Sequence, residues 1–157
     1  MNLQSLRWTK NVKPKNEENW AYQIFKAGSL FKLAWKDDEG NANKPQRGDL
    51  ILIRQSGYVT HLVKILDYKS EREDWQGDFN VYRIVEVLWV IDWQDPPNSA
   101  RADEVFGYSV KAYQGGDVMF LETMPTFQQH WQDQGGLPAF QQRVRSMLNL
   151  PESSDNG

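Results

Sequence analysis

The sequence predicts a mainly β domain with peripheral helices, an α+β fold built on a curled or closed sheet. Three observations lead there. Apolar and aromatic runs separated by short turns recur through the first three quarters of the chain, the pattern of antiparallel strands. One run, Leu50, Ile51, Leu52 and Ile53, is apolar without a break, as in a strand covered on both faces. Helical spacing is confined to the C-terminal part. The length, 157 residues, suits a single domain.

Residues 1–18 are polar and without clear periodicity, and Pro14 restrains the chain as loop, so they read as a basic N-terminal arm. The domain proper is expected over 19–150. Residues 20–25 (WAYQIF) are rich in aromatic and β-branched side chains and predict a first strand. Gly28 breaks it, and Ser29 is placed to cap a short helical turn holding Leu30, Phe31, Leu33 and Ala34. A polar loop follows over 37–47. Gly48 and Asp49 turn into the apolar strand, Gln55-Ser56-Gly57-Tyr58 is a hairpin signal, and 59–66 is the returning strand. Residues 67–80 form a charged loop containing Trp75. Residues 81–93 alternate over the longest stretch in the chain, with Val81, Arg83, Val85, Val87, Trp89, Ile91 and Trp93 on one side; so long a strand requires twist or a bulge.

Asp95-Pro96-Pro97-Asn98 ends that strand. A short helix is expected over 99–104, a strand over 105–113 with Gly107 as a bulge, a turn at Gly115-Gly116, and a last strand over 117–121. Helix signals fill 126–132 and stop at Gly135-Gly136. Pro138 then suits the start of a final helix, whose stripe is Phe140, Val144, Met147 and Leu148. Residues 151–157 read as a disordered tail.

Composition excludes several chemistries. There is no cysteine, so there is no disulfide, thiolate nucleophile, iron–sulfur cluster or cysteine-bound zinc. His61 and His130 are the only imidazoles, too few for a poly-histidine metal site, and no metal or cofactor is expected. No P-loop or dinucleotide-binding glycine pattern occurs. Ser56, His61 and Asp67 lack a nucleophile elbow, so no catalytic residue is assigned. His61 reads as a hydrogen-bonded barrel residue and His130 as a helix surface residue. No apolar run approaches the roughly 20 residues that cross a bilayer, and the N-terminus lacks the apolar core of a signal peptide. The reading is a cytoplasmic protein with no membrane partner.

Charge is uneven. The net charge is −3, yet residues 1–36 carry seven basic side chains against two acidic ones, a local +5 that leaves −8 for the remainder. A basic region on an acidic protein can meet phosphate.

The order of these signals resembles a PUA-like barrel, particularly its EVE and YTH-like branches. Four stretches carry the resemblance: the aromatic run 20–25 followed by Lys26 and Ser29; Trp35 on the next segment; the Gly48-Asp49 turn with its apolar strand and hairpin through 66; and the long strand 81–93 with the final strand and helix over 116–150. The loop after the hairpin is acidic (Asp67, Glu71, Glu73, Asp74), which departs from a phosphate-binding pattern. The resemblance implies non-catalytic binding of a nucleic acid, RNA or modified DNA, with a modified (methylated) base held in an aromatic pocket. Flat side chains suit that task, since stacking is worth about 1–3 kcal/mol per base and a buried methyl about 0.8 kcal/mol more. The expected base-binding residues are Trp35 and Trp75, with Trp20, Tyr22, Ser29 and Asn43. The expected phosphate contacts are Lys26, Lys32, Lys10 and Lys13. Two alternatives stand beside this reading. One is a small amidohydrolase similar to ASCH domains, using Lys26, Thr60 and Glu86. The other is a protein-interaction module with Trp93, Pro96 and Pro97 as its patch.

Overall fold

Seven strands form one mixed sheet that curls around an apolar interior. The computed structural model describes residues 1–14, 19–36, 38–110 and 116–151. The strands are β1 (Leu6–Asn11), β2 (Leu30–Trp35), β3 (Leu50–Gln55), β4 (Tyr58–Ile65), β5 (Glu71–Arg72), β6 (Val81–Val90) and β7 (Val118–Phe120). Their order is β2-β6-β4-β3-β1-β7, with β5 beside β6. All neighbours are antiparallel except β1 and β3. The helices are α1 (Glu39–Ala42), α2 (Ala102–Phe106), α3 (Pro125–Trp131) and α4 (Gly136–Met147).

The unbroken apolar run on β3 is covered on both faces. Leu50 and Leu52 pack outward against Val105, Phe106, Phe127, Trp131, Phe140 and Val144 of the helices. Ile51 and Ile53 point inward, toward Leu33, Val63, Ile65, Val81 and Val85. Each such side chain contributes about 1.5–3 kcal/mol by leaving water. The α4 stripe docks as its spacing predicts, with Phe140, Val144 and Leu148 buried in the outer cluster. The Trp131 indole donates to the Phe106 carbonyl at 2.9 Å and ties α3 to α2.

The sheet's two terminal strands, β2 and β7, do not pair. The side chain of Asn41 joins them instead. Its Oδ1 accepts from the Trp35 indole of β2 at 2.8 Å and from the Val118 N–H of β7 at 2.7 Å. Its Nδ2 donates to the Val118 carbonyl at 3.0 Å. One amide thus does for Val118 what a neighbouring strand would do. Arg83, fully buried on β6, donates to the Ala42 and Pro45 carbonyls and to Asp67, and pins the α1 loop over the end of the barrel.

Several expectations are corrected. Residues 6–11 are not an arm but β1, an interior strand of the sheet. Its period of two was masked because Thr9 and Lys10 are polar yet buried. Residues 20–25 are not a strand but a turn, with Tyr22 at φ 58°. Residues 30–35 are not helical but β2, paired along all six residues with β6. Ser29 caps nothing; its carbonyl accepts from the Val87 N–H at 2.9 Å. Asp38 caps α1 inside the expected polar loop. Val105 and Phe106 are helical, and Gly107 is the left-handed C-cap of α2 at φ 81°, not a bulge. The remaining signals of that expected strand over 111–113, Gly115 of the expected turn, and 152–157 of the expected tail lie outside the described residues. Among the described residues, no helix is long and apolar enough to cross a membrane.

Candidate functional site

A cavity of about 1130 Å³ opens beside β1 and β2, slightly above the usual range of ligand pockets, roughly 300–1,000 Å³. Its described lining comes from five places in the chain. β1 and its continuation supply Lys10, Val12, Lys13 and Pro14. Residues 20–25 supply Trp20, Tyr22 and Phe25. β2 and its end supply Phe31, Lys32, Ala34 and Lys36. The loop between β5 and β6 supplies Trp75 and Phe79, and Gly116 completes the wall before β7. Six aromatic rings and four lysines therefore share one cavity, and among the described residues no carboxylate lines it.

The turn 20–25 has no strand neighbour, so side chains satisfy its peptide groups. Gln55, fully buried at the end of β3, accepts from the Ala21 N–H at 2.7 Å and donates back to the Ala21 carbonyl at 3.0 Å. The same amide nitrogen donates to the Thr60 hydroxyl at 3.1 Å. Thr60 in turn donates to His61 Nδ1 at 2.9 Å, and His61 Nε2–H donates to the Tyr22 carbonyl at 3.1 Å. A carbonyl only accepts, so this chain holds His61 in the neutral Nε2–H tautomer. Burial away from water lowers the His61 pKa to about 4, against a smaller opposing effect of the Tyr22 hydrogen bond.

This network fixes an aromatic wall. Tyr22 adopts a positive φ, a conformation that costs a bulky residue about 1–3 kcal/mol and persists only where the surroundings over-determine it. They do so here. The Tyr22 hydroxyl accepts from the Ala34 N–H at 3.0 Å, and its ring stacks on Phe31 at 4.4 Å, which stacks on Phe25 at 4.9 Å. Trp20 leans on Trp93 at 5.3 Å, and Trp93 on His61 at 5.4 Å. Ile24, 82% exposed, stands at the lip.

Lys10 is the buried cation of the wall. It is 1% exposed, its ammonium lies 4.8 Å from the Trp35 ring centroid, and it donates to the Gly116 carbonyl. Desolvation lowers its pKa to about 7, partly offset by the Asp117 charge. Asp117 is itself shifted upward, by burial first and then by the nearby charge of Asp38. Lys32 pairs with Glu73 at 3.0 Å, both partly exposed, and lies 4.9 Å over the Tyr82 ring. Trp75 packs on that same ring at 5.6 Å.

The structure brings together Trp20, Tyr22, Trp75, Lys10, Lys13 and Lys32 of the expected site. It removes four others from it. Trp35 is 0% exposed, packed between Lys10 and Asn41 as core, because β2 turns its ring inward. Ser29 is engaged with β6. Asn43 accepts from the Ser70 N–H at 2.7 Å and joins two loops. Lys26 is exposed and does not line the cavity. Lys10 is not a phosphate-steering arm residue, since its side chain is inside. Phe25, Phe31, Phe79 and Lys36 were missed. Phe31 was hidden by the helical reading of β2; Phe79, in a charged loop, carries no sequence signal.

The alternative sites fare as follows. Thr60 is fully buried and committed to Gln55 and His61, while Lys26 is exposed; no hydrogen bond or ion pair links these two. Trp93 is half-buried against Trp20 and His61 and does not stand out with Pro96 and Pro97 as a patch. Compared with known proteins, the chain matches no family, no curated protein and no solved structure.

Proposed function

We propose that this protein binds single-stranded nucleic acid without catalysis and takes one base, a modified (methylated) one, into the aromatic cavity. The observation that carries this reading is the composition of the cavity wall: six rings and four lysines with no described carboxylate, on a protein of net charge −3. Rings supply stacking that accepts any base face. Lysines at the rim supply phosphate contacts. The pre-set turn holding Trp20 and Tyr22 lowers the ordering cost of binding.

The test is titration of intrinsic tryptophan fluorescence with short single-stranded RNA and DNA, each unmodified or methylated at adenine or cytosine. Trp75→Ala and Trp20→Ala each weaken binding by about 1–3 kcal/mol if a base stacks there. Three exposed rim lysines (Lys13, Lys32, Lys36) give a log K against log salt slope of about −2 for a single strand. Quenching absent at low salt for every oligonucleotide overturns the proposal.

A further inference from the structure

We infer that the open edge of β2 reads the base: the peptide N–H and C=O of Lys32 bond its Watson–Crick edge, so the cavity takes an unpaired base whose ring nitrogen on that edge carries no methyl. This inference rests on the proposed base pocket and names the edge of the base that the pocket reads. Among the described strands, β2 ends the sheet and pairs with β6 alone. In an antiparallel pair every second residue turns its N–H and C=O away from the partner strand. Three observations fix which residues of β2 do so. Ile84, opposite Lys32, donates its N–H to Asp67 at 2.8 Å and accepts from the Leu66 N–H at 3.0 Å, both on the far side of β6. The Ser29 carbonyl accepts from the Val87 N–H at 2.9 Å, which sets 29, 31, 33 and 35 toward β6. The Ala34 N–H points the other way and donates to the Tyr22 hydroxyl at 3.0 Å. The Lys32 N–H and C=O therefore lie on the outer edge, and no described residue bonds them.

That edge faces the cavity. Phe31 lines the cavity from the inner face of β2, and Lys32 and Ala34 line it from the outer face. Successive side chains of a strand stand on opposite faces, so they share one cavity where it wraps around an edge, and β6 occupies the other edge. Tyr22, whose hydroxyl meets the Ala34 N–H, lines the same cavity. That hydroxyl ends the open stretch on one side. The turn in which the Ser29 N–H donates to the Lys26 carbonyl at 2.9 Å ends it on the other. What stays open, the outward groups of Leu30 and Lys32, is too short to seat an added peptide strand and matches the edge of a single flat ring. The Lys32 ammonium is engaged separately, with Glu73 at 3.0 Å. The N–H and C=O of Lys32 offer one donor beside one acceptor. Every base carries the complementary pair on its Watson–Crick edge, which is exposed in a single strand. A methyl on the ring nitrogen of that edge blocks the contact; a methyl at C5 of a pyrimidine leaves it intact.

The experiment titrates the full chain with pentathymidylate and with the same pentamer methylated at N3 of every thymine, which keeps ring shape and charge. Pentathymidylate is expected to bind roughly tenfold or more tighter. Proline is tolerated on an edge strand where its missing N–H faces away from the ladder, so Lys32→Pro removes the reading donor, and Lys32→Ala controls for the lost ammonium. Lys32→Pro is expected to weaken pentathymidylate about fivefold or more beyond Lys32→Ala and to leave the N3-methylated pentamer unchanged. In the unaltered protein, ¹H–¹⁵N NMR is expected to show the Lys32 amide proton moving downfield with pentathymidylate and staying in place with the N3-methylated pentamer; this readout decides the matter if Lys32→Pro does not fold. Equal affinities for the two pentamers with the Lys32 amide unmoved overturn the edge reading and leave a stacking pocket standing. Failure of both pentamers to bind overturns the pocket itself.

Discussion

Gln55→Leu removes the side chain that pairs both peptide groups of Ala21 in the aromatic turn, as a neighbouring strand would. Leucine fills nearly the same volume, so the change isolates polar contacts from packing. It leaves the Ala21 N–H and carbonyl, bonded at 2.7 and 3.0 Å, without partners in a buried place, and takes one donor from Thr60. Each orphaned buried group costs about 1–3 kcal/mol, giving about 2–5 kcal/mol if the turn stays docked. The turn can instead peel away to water, which limits the loss to its docking energy and opens the cavity. The two outcomes are separable. Urea unfolding followed by circular dichroism reports the global loss, and hydrogen exchange at the Ala21 amide reports local opening. Either a loss of 2 kcal/mol or more, or a collapse of Ala21 protection with weaker oligonucleotide binding, meets the expectation. A loss below about 0.5 kcal/mol with Ala21 protection unchanged refutes the argument that Gln55 holds the turn.

Asn41→Ala leaves the Trp35 indole and both Val118 peptide groups unpaired, and is expected to cost about 3–5 kcal/mol in denaturant unfolding, with faster exchange at the Val118 amide. His61 is neutral when folded, with its pKa lowered to about 4. Its contribution is therefore complete above the unfolded value near 6.5 and is lost as pH falls toward 4. Stability should decline by roughly 3 kcal/mol across that window, and less in His61→Gln, with the imidazole titration followed by NMR. Lys10→Met removes a buried amine whose pKa is lowered to about 7; the variant should melt higher than the parent at pH 7, with the gain shrinking as pH rises toward the unfolded value of 10.5, above which the lysine is neutral in both states. Gly107→Ala places a methyl 2.6 Å from His130 Nε2 at a positive φ; a loss of about 1–3 kcal/mol, partly relieved by a second His130→Ala change, is the expected thermal-melt result.

Much of the barrel was legible because its signals are local. The unbroken Leu50–Ile53 run, the Ser56-Gly57 turn and the alternation from Val81 each depend on neighbouring residues alone, and β3, β4 and β6 follow them closely. The failures share a different cause. β1 was unreadable because Lys10 and Thr9 look like surface residues, and their burial is decided by partners far along the chain, Gly116 and Leu52. Residues 20–25 carry strand-like composition, yet their aromatics serve the cavity and their peptide groups bond to Gln55 and His61. The site was half legible for the same reason. Trp20, Tyr22 and Trp75 were visible as aromatics near loops. Sequence position could not tell the open ring of Trp75 from the sealed ring of Trp35, because only the packing of Lys10 and Asn41 decides it.

The proposed base pocket is tested most directly by the seven tryptophan indole N–H signals in a ¹H–¹⁵N NMR titration with a short single-stranded oligonucleotide. The predicted result is large shifts for Trp20 and Trp75, which line the cavity. Trp35 and Trp131, sealed and bonded to Asn41 and Phe106, should remain nearly still. Saturating oligonucleotide that leaves Trp20 and Trp75 in place, or that moves only tryptophans outside the cavity, contradicts the account.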